Sequence, residues 1–410
     1  MKLQSIQLAN FRAFERLSFS LGERVTLLIG ENGSGKTSIL DAIGIGLGAI
    51  LTHLPDVKGL TFKKTDLRSQ HEQKAPYMRV VLQTTEGLAW DRMVKRDKSQ
   101  FTAKQLPQTL GLKNLEHFLD ATVIDPALMS RDYTLPLFVS YGVSRAILDL
   151  PLRRKGKSFH KKYQRIDALA DALNADSRFK SAFVWFYNKE LEEQRLQKER
   201  RSFDVTLPEL DAVRTAITQM FPGLTEPHIE VNPLQFVVKQ NEQFLNIDQL
   251  SDGYKTLLGL VIDLSARMAM ANPDSLNPLA EQSIVMIDEV DLHLHPAWQK
   301  RVVSDLLRTF PNTQFILTTH SPYIVESINN SLKLAQVTQK LPEQNLQDCY
   351  PQLASLKREH TQAYWMHDAQ VTSILDNEIG LLDDKLITYW NDINAVYDEL
   401  RDLEWEAAHD

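Results

Sequence analysis

The 410-residue chain lacks several features that would assign it to other classes of protein. Its single cysteine, Cys349, cannot form an internal disulfide, so a reducing compartment is expected. No apolar run is long enough to cross a bilayer, and the opening MKLQSIQLANF alternates like a strand instead of resembling a signal peptide. The net charge of −7 gives no whole-chain indication of nucleic-acid binding. We therefore expect a cytoplasmic protein without a membrane partner.

The composition allows a large core: 43% of the residues are hydrophobic and 24% are charged. Short apolar runs alternate with segments of helical periodicity over much of the chain, which predicts an α/β fold with a mostly parallel sheet covered on both faces. The first residues read as amphipathic strands, and two segments around Glu86 and Gly87 read as a β-hairpin. An antiparallel part is therefore expected near the N-terminus.

The stretch GENGSGKT, from Gly30 to Thr37, matches the phosphate-loop pattern G-x-x-x-x-G-K-[ST]. It follows a buried-strand run and precedes an apolar helix, the context that a P-loop NTPase requires. Lys36 is expected to reach the β- and γ-phosphates of ATP, and Thr37 to bind Mg²⁺. The predicted nucleotide-binding residues are Asn32, Gly33, Ser34, Gly35, Lys36, Thr37 and Ser38.

Two further strand ends carry residues suited to nucleotide hydrolysis. Asp288 follows the apolar run IVMI and is predicted to orient Mg²⁺ through water, while Glu289 is placed to polarise an attacking water. His320 follows the run QFILTT and could contact the γ-phosphate or that water. The predicted catalytic residues are thus Glu289, His320 and Lys36.

The stretch LSDGYKT, from Leu250 to Thr256, suggests a second phosphate contact. Ser251 is a good N-cap for a helix, and Ser251 and Gly253 could donate to a phosphate oxygen from the helix N-terminus. If a second copy of the chain supplied this contact, two nucleotides would lie between two chains arranged head to tail. The alternative is an ordinary capped helix.

These motifs, with IDEVDLHLHP, TTHSP and the opening QLANFRAF, resemble the ABC-type ATPases of the SMC and RecF class in order and setting. The resemblance implies an ABC/SMC-head fold in which the LSxG signature binds ATP in trans and His320 is the switch histidine. It further implies that Asp291 belongs to the D-loop and that Arg12 lies near the nucleotide. The glutamine loop has no clear counterpart, and Gln70 and the segment Val139–Arg145 remain candidates.

The resemblance and the composition together suggest four regions. The segment 153–221 is too short for the long coiled coil of the SMC clamps, and the tail is read as helical and strand-free, which argues against a built-in nuclease. The expected regions are an ATPase lobe with the phosphate loop and hairpin (1–150), a helical insert (151–225), an ATPase lobe with signature and switch histidine (226–330) and a helical, acidic C-terminal region (331–410).

Among the compact members, the chain looks most similar to the stand-alone ATPases of bacterial anti-phage systems, such as PtuA of the Septu system. That likeness implies an ATPase that forms a homodimer or higher oligomer and regulates a separate effector nuclease, HNH-type if it is PtuA-like. Two alternatives remain: an ATP-bound scaffold with little turnover, and a RecF-like DNA-repair ATPase. The basic runs Arg153–Arg165 and Lys198–Arg201 are candidates for DNA or partner contact, or form a solvated helix face.

Overall fold

The computed structural model describes residues 1–55, 57–70, 73–146, 163–174, 180–341, 344–376 and 378–383. The acidic stretch beyond residue 383 and most of the basic run 153–165 lie outside these residues. The described strands are β1 (Leu3–Phe11), β2 (Phe14–Ser20), β3 (Val25–Gly30), β4 (Ser69–Gln70), β5 (Gln73–Lys74), β6 (Tyr77–Thr84), β7 (Ala89–Lys95), β8 (Leu137–Tyr141), β9 (Leu224–Val231), β10 (Leu234–Gln240), β11 (Gln243–Asn246), β12 (Ser283–Ile287), β13 (Thr313–Thr319), β14 (Thr361–His367) and β15 (Gln370–Ser373).

Helices pack between and around these strands. The described α-helices are α1 (Lys36–His53), α2 (Gln100–Ala103), α3 (Leu112–Leu119), α4 (Asp125–Leu128), α5 (Lys180–Arg200), α6 (Pro208–Met220), α7 (Asp252–Ala271), α8 (Pro296–Gln299), α9 (Val302–Thr309), α10 (Pro322–Lys340) and α11 (Leu346–Cys349). No described helix has both the length and the apolar character that crossing a bilayer requires.

The main sheet has six strands in the order β15-β14-β3-β13-β12-β8. The five strands from β14 to β8 are parallel, and only β15 is antiparallel to its neighbour. Every residue of β3, β8, β12 and β13 is buried, as expected for strands covered on both faces. Ile287 pairs with both Leu317 and Tyr141, so the carboxyl ends of these strands share one edge of the sheet.

Helix α1 joins this sheet to the N-terminal antiparallel sheet, whose order is β2-β1-β6-β7. The helix contacts β3, β8 and β13 on one side and β1, β6 and β7 on the other, which explains why it is apolar almost all round. Trp90 is buried and donates from Nε1 to the carbonyl of Gly46 at 2.9 Å. The mixed α/β architecture predicted from the sequence, with a mostly parallel sheet and an antiparallel part near the N-terminus, is confirmed.

The expectation of a strand-free C-terminal region is wrong for residues 361–373. Strand β14 pairs in parallel with β3, the strand that leads into the phosphate loop, and β15 forms a hairpin with β14. Ala363, Tyr364 and Met366 are buried in this arrangement. The two strands therefore extend the main sheet at the edge next to β3.

A buried carboxylate in α5 makes stability depend on pH. Glu190 is buried and accepts a hydrogen bond from Ile229 N at 3.0 Å, and burial raises its pKa from 4.5 to about 7. Because the native state holds this proton more tightly than the unfolded chain, the free energy of unfolding falls as pH rises from about 4.5 to 7.

We predict that Glu190→Gln raises the free energy of unfolding by about 3 kcal/mol at pH 8 and changes it little at pH 4. The amide oxygen can still accept from Ile229 N but carries no charge to desolvate. Urea unfolding at both pH values measures the difference, with Glu192→Gln, an exposed change in the same helix, as the control. An equal shift at both pH values would show that ionisation of Glu190 is not the cause.

Candidate nucleotide-binding site

The phosphate loop, Gly30–Thr37, lies between β3 and α1 and depends on glycine at two positions. Gly30 and Gly35 have φ angles of +156° and +101°. A Cβ at Gly30 would lie 2.2 Å from the carbonyl oxygen of Met366, and one at Gly35 would lie 2.7 Å from the Phe14 ring. The loop can therefore follow this path only because both positions lack a side chain.

Polar groups of the loop face its interior. Lys36 is buried, and its Nζ donates to the carbonyl oxygens of Gly30 and Glu31, both at 2.8 Å. Burial lowers the pKa of Lys36, and the nearby carboxylates of Asp288 and Glu289 partly oppose the shift. The buried Ser34 hydroxyl has no hydrogen-bond partner among the described residues. A phosphate would satisfy this hydroxyl and could replace the carbonyls as the partner of Lys36.

Asp288, directly after β12, lies against the first turn of α1. Its carboxylate accepts from the Thr37 hydroxyl at 2.7 Å and from the Thr318 hydroxyl at 2.6 Å, and it is buried. Its backbone N donates to Tyr141 O at 2.8 Å. The hydroxyl of Thr37 and the carboxylate of Asp288 are thus adjacent oxygen ligands of the kind that Mg²⁺ prefers.

Glu289 and His320 lie at the ends of β12 and β13, close to each other. Glu289 Oε1 is 3.9 Å from His320 Nε2, and the two side chains are 33% and 31% exposed. Glu289 has a φ of +49°, and its backbone N donates to the Thr318 hydroxyl at 2.7 Å. Left-handed backbone at a non-glycine residue is strained, and such residues occur both in turns and at functional sites. Burial and the charge of Lys36 lower the pKa of His320, which favours the neutral form of its imidazole.

The stretch LSDGYKT at the start of α7, here called the signature turn, packs on the loop that follows β12. A Cβ at Gly253 would lie 2.4 Å from the carbonyl oxygen of His293, so only glycine allows this approach. In the same loop, Asp291 accepts a hydrogen bond from the Thr319 hydroxyl. Ser251 is the N-cap residue of α7, but its exposed side chain makes no capping hydrogen bond. The predicted N-cap position is confirmed, while the hydroxyl is left for another partner.

Arg12, which the motif comparison placed near the nucleotide, lies against the first turns of α1. Its guanidinium contacts the Asp41 carboxylate at 2.7 Å, the Asp66 carboxylate at 2.9 Å and the Ser38 hydroxyl at 3.3 Å. Burial disfavours its charge, but Asp41 and Asp66 outweigh that effect and raise the pKa of Arg12. Arg12 thus fixes the position of the helix that follows the phosphate loop.

The structure separates the two candidates for the glutamine loop and adds residues that the motifs missed. Gln70 is exposed in β4, whereas Tyr141, within the segment Val139–Arg145, lies beside Asp288. The hydroxyl of Tyr141 donates to Asp263 at 2.8 Å, and Asp263 pairs with Arg267 at 2.7 Å; all three residues are buried. The sequence signal for this network is weak, namely an Asp and an Arg four residues apart in an otherwise apolar helix.

Comparison with known proteins adds relatives that the motifs did not name. The chain is 28% identical over 391 residues to "Retron Ec83 probable ATPase" of Escherichia coli, covering 80% of this chain and 70% of that protein. It is 24% identical over 357 residues to "Septu protein PtuA" of Bacillus mycoides (strain KBAB4), covering 83% of this chain and 42% of PtuA. The similarity to PtuA predicted from the sequence is thus confirmed, and the comparison adds a retron ATPase as a further relative.

The fold and the family are also shown by comparison. The structure titled "Crystal structure of the SmcHead bound to the C-winged helix domain of ScpA" aligns with a TM-score of 0.50 at 16% identity, covering 92% of this chain and 99% of that one. The family model described as "AAA domain, putative AbiEii toxin, Type IV TA system" matches residues 25–326. Since this match includes the phosphate loop, the signature turn and the ends of β12 and β13, the chain belongs to that family and is an ATPase.

Proposed function

We propose that this ATPase hydrolyses ATP at an interface between two copies of the chain arranged head to tail, and that it thereby controls a separate effector nuclease in anti-phage defence. The observation that supports a site shared between two chains is the environment of Ser251. Its hydroxyl is exposed at the N-terminus of α7 and does not cap its own helix. A helix end of this kind favours an anion, and a neighbouring copy's phosphate loop would supply one.

The chain's own residues have distinct roles in this reaction. Lys36, Ser34 and the backbone N–H groups of the loop hold the phosphates, while Glu289 orients and polarises the attacking water. His320 contacts the γ-phosphate or that water, Asp291 positions the loop after β12, and Arg12 positions the helix after the phosphate loop. Thr37, and Asp288 through water, would hold Mg²⁺, which when bound neutralises charge on the phosphate oxygens.

The effector is proposed to be a separate protein because of the relatives that the chain matches. Strands β14 and β15 belong to the main sheet and are assigned to the ATPase. The matched relatives carry the names of retron and Septu systems, and an HNH-type nuclease is the expected partner if the chain works as PtuA does. The placement of Glu289 beside His320 favours turnover over a purely structural use of ATP.

Mixing two inactive variants tests the shared site. Lys36→Ala removes the phosphate-loop lysine and Ser251→Arg blocks the signature, so each variant alone should lose nearly all ATPase activity. In an equimolar mixture, mixed dimers contain one intact site, and activity should recover to about one quarter of the wild-type rate. Steady-state phosphate release measures the recovery.

The matched control mixes Lys36→Ala with the double variant Lys36→Ala/Ser251→Arg, in which every site lacks its lysine and no activity should return. If mixed dimers form, as shown by co-purification of differently tagged chains, yet activity does not recover, the site is not shared. The defence role is tested separately by purifying the ATPase from its native host. A replication protein as the sole partner, with no nuclease, would contradict it.

A further inference from the structure

Although the whole chain is acidic, one segment is strongly basic. Between Val57 and Gln105, Lys and Arg outnumber Asp and Glu by more than two to one. Three of the acidic residues are in ion pairs: Asp66 and Asp91 are buried against Arg12 and Arg79, and Asp97 pairs with Arg96 at 2.7 Å. The exposed lysines are Lys58, Lys63, Lys64, Lys74, Lys95, Lys98 and Lys104.

This segment forms an open groove of about 660 Å³ beside the β4–β5 hairpin, here called the hairpin groove. It is lined by Arg68, Lys74, Arg96, Phe101 and the amides Gln70, Gln73 and Gln105, together with one carboxylate, Glu15. Glu15 lies 3.6 Å from Arg68 and is largely exposed. Cations and neutral hydrogen-bonding groups therefore dominate the lining.

An exposed aromatic ring stands among these cations. Phe101 is 68% exposed, although a phenyl ring in water is unfavourable. Arg96 is held in place beside it, since its guanidinium donates to Lys74 O at 2.9 Å, to the Thr102 hydroxyl at 3.0 Å and to the exposed Asp97 carboxylate at 2.7 Å. A basic groove with an exposed aromatic ring is the arrangement that binds single strands, because phosphates pair with the cations and an unpaired base stacks on the ring.

We propose that the hairpin groove binds single-stranded nucleic acid, with Arg68, Lys74 and Arg96 facing the phosphates and Phe101 stacking on a base. Duplex nucleic acid is disfavoured, since its bases are already stacked and the ring would have no base to cover. The proposal goes beyond the shared ATP site and concerns other residues than the basic runs at 153–165 and 198–201.

The groove is physically connected to the nucleotide site. Arg68 N donates to Asn10 O at 3.1 Å and Arg12 N donates to Asp66 O at 2.7 Å, so the groove wall runs along the end of β1. The Arg12 side chain then joins Asp66 to Asp41 in α1. A nucleic-acid strand bound in the groove would contact the same backbone segment that positions α1, the helix after the phosphate loop. Binding is therefore expected to change the ATPase rate.

The test measures binding of fluorescein-labelled oligonucleotides to the full-length protein by fluorescence anisotropy. The probes are 20-nucleotide dT and rU single strands, which separate DNA from RNA as the source, and a 20-base-pair DNA duplex. We expect at least one single strand to bind more tightly than the duplex. Phe101→Ala should weaken that binding about 5- to 100-fold, and Lys74→Glu should weaken it and reduce its salt dependence.

Two matched variants show whether the effects belong to this groove. Phe244→Ala removes another exposed aromatic ring, and Lys333→Glu reverses another exposed lysine; both should leave binding unchanged. Far-UV circular dichroism and wild-type ATPase activity without nucleic acid confirm that the groove variants are folded. Equal binding of duplex and single strand, or single-strand binding that neither Phe101→Ala nor Lys74→Glu weakens, would overturn the proposal.

Discussion

Glu289→Gln is expected to lower steady-state ATP turnover by about 100- to 1,000-fold without reducing ATP affinity. The amide has nearly the same shape as the carboxylate, so the backbone hydrogen bond from Glu289 N to the Thr318 hydroxyl and the left-handed turn are preserved. What is lost is the negative charge that polarises the attacking water. The measurement is phosphate release at saturating ATP and Mg²⁺.

The same variant should keep its ATP-dependent assembly. If ATP joins two chains and hydrolysis separates them, Glu289→Gln should accumulate as dimers when ATP is added, whereas the wild type should return to monomers as ATP is consumed. Size-exclusion chromatography with light scattering follows both states. This contrast distinguishes a hydrolysing switch from a static ATP-bound scaffold.

Glu281→Gln is the matched control, because Glu281 lies just before the other end of β12 and accepts a hydrogen bond from the Ser275 hydroxyl. It should leave turnover within about twofold of wild type, as surface substitutions away from a site usually do. Equal, negligible rates for the wild type and Glu289→Gln would remove the catalytic role of Glu289 and favour the scaffold alternative.

The positions that carry the nucleotide chemistry were predictable from the sequence for a physical reason. Each lies at the end of a short run that is mostly apolar, and parallel strands bring their carboxyl ends to one edge of the sheet. Gly30 is the last residue of β3, Asp288 follows β12 and His320 follows β13. The spacing of a phosphate loop is set by local backbone geometry. Local patterns are therefore sufficient to place these residues together.

Features that depend on long-range pairing were not predictable in this way. Strand β14 is TQAYWMH, a mixed run that carries no strong strand signal, and it becomes a strand by pairing with β3 more than 300 residues earlier. The bond from Tyr141 to Asp263 spans 122 residues. From the sequence, the Ser251 hydroxyl could either contact a phosphate or cap its own helix, and only the structure shows that it makes no capping hydrogen bond.

Strand β14 leads to the last prediction, because its backbone sets the space available to the phosphate loop. Gly30→Ala would place a Cβ 2.2 Å from the carbonyl oxygen of Met366, and this backbone atom cannot rotate away as a side chain could. The loop or β14 must shift, which together with the positive φ costs about 3 kcal/mol or more. We expect ATP affinity to fall at least about 100-fold.

Gly33→Ala separates the steric cost from the conformational one. Gly33 also has a positive φ, +81°, but a Cβ there meets nothing within 4 Å, so only the left-handed backbone is penalised, by about 1–2 kcal/mol. Its ATP affinity should fall about 5- to 30-fold. Calorimetric ATP titrations in the Glu289→Gln background measure both without turnover, and circular dichroism checks folding. If both glycine variants lose the same affinity, the contact with β14 has no part in shaping the loop, and the left-handed backbone alone explains the requirement for glycine.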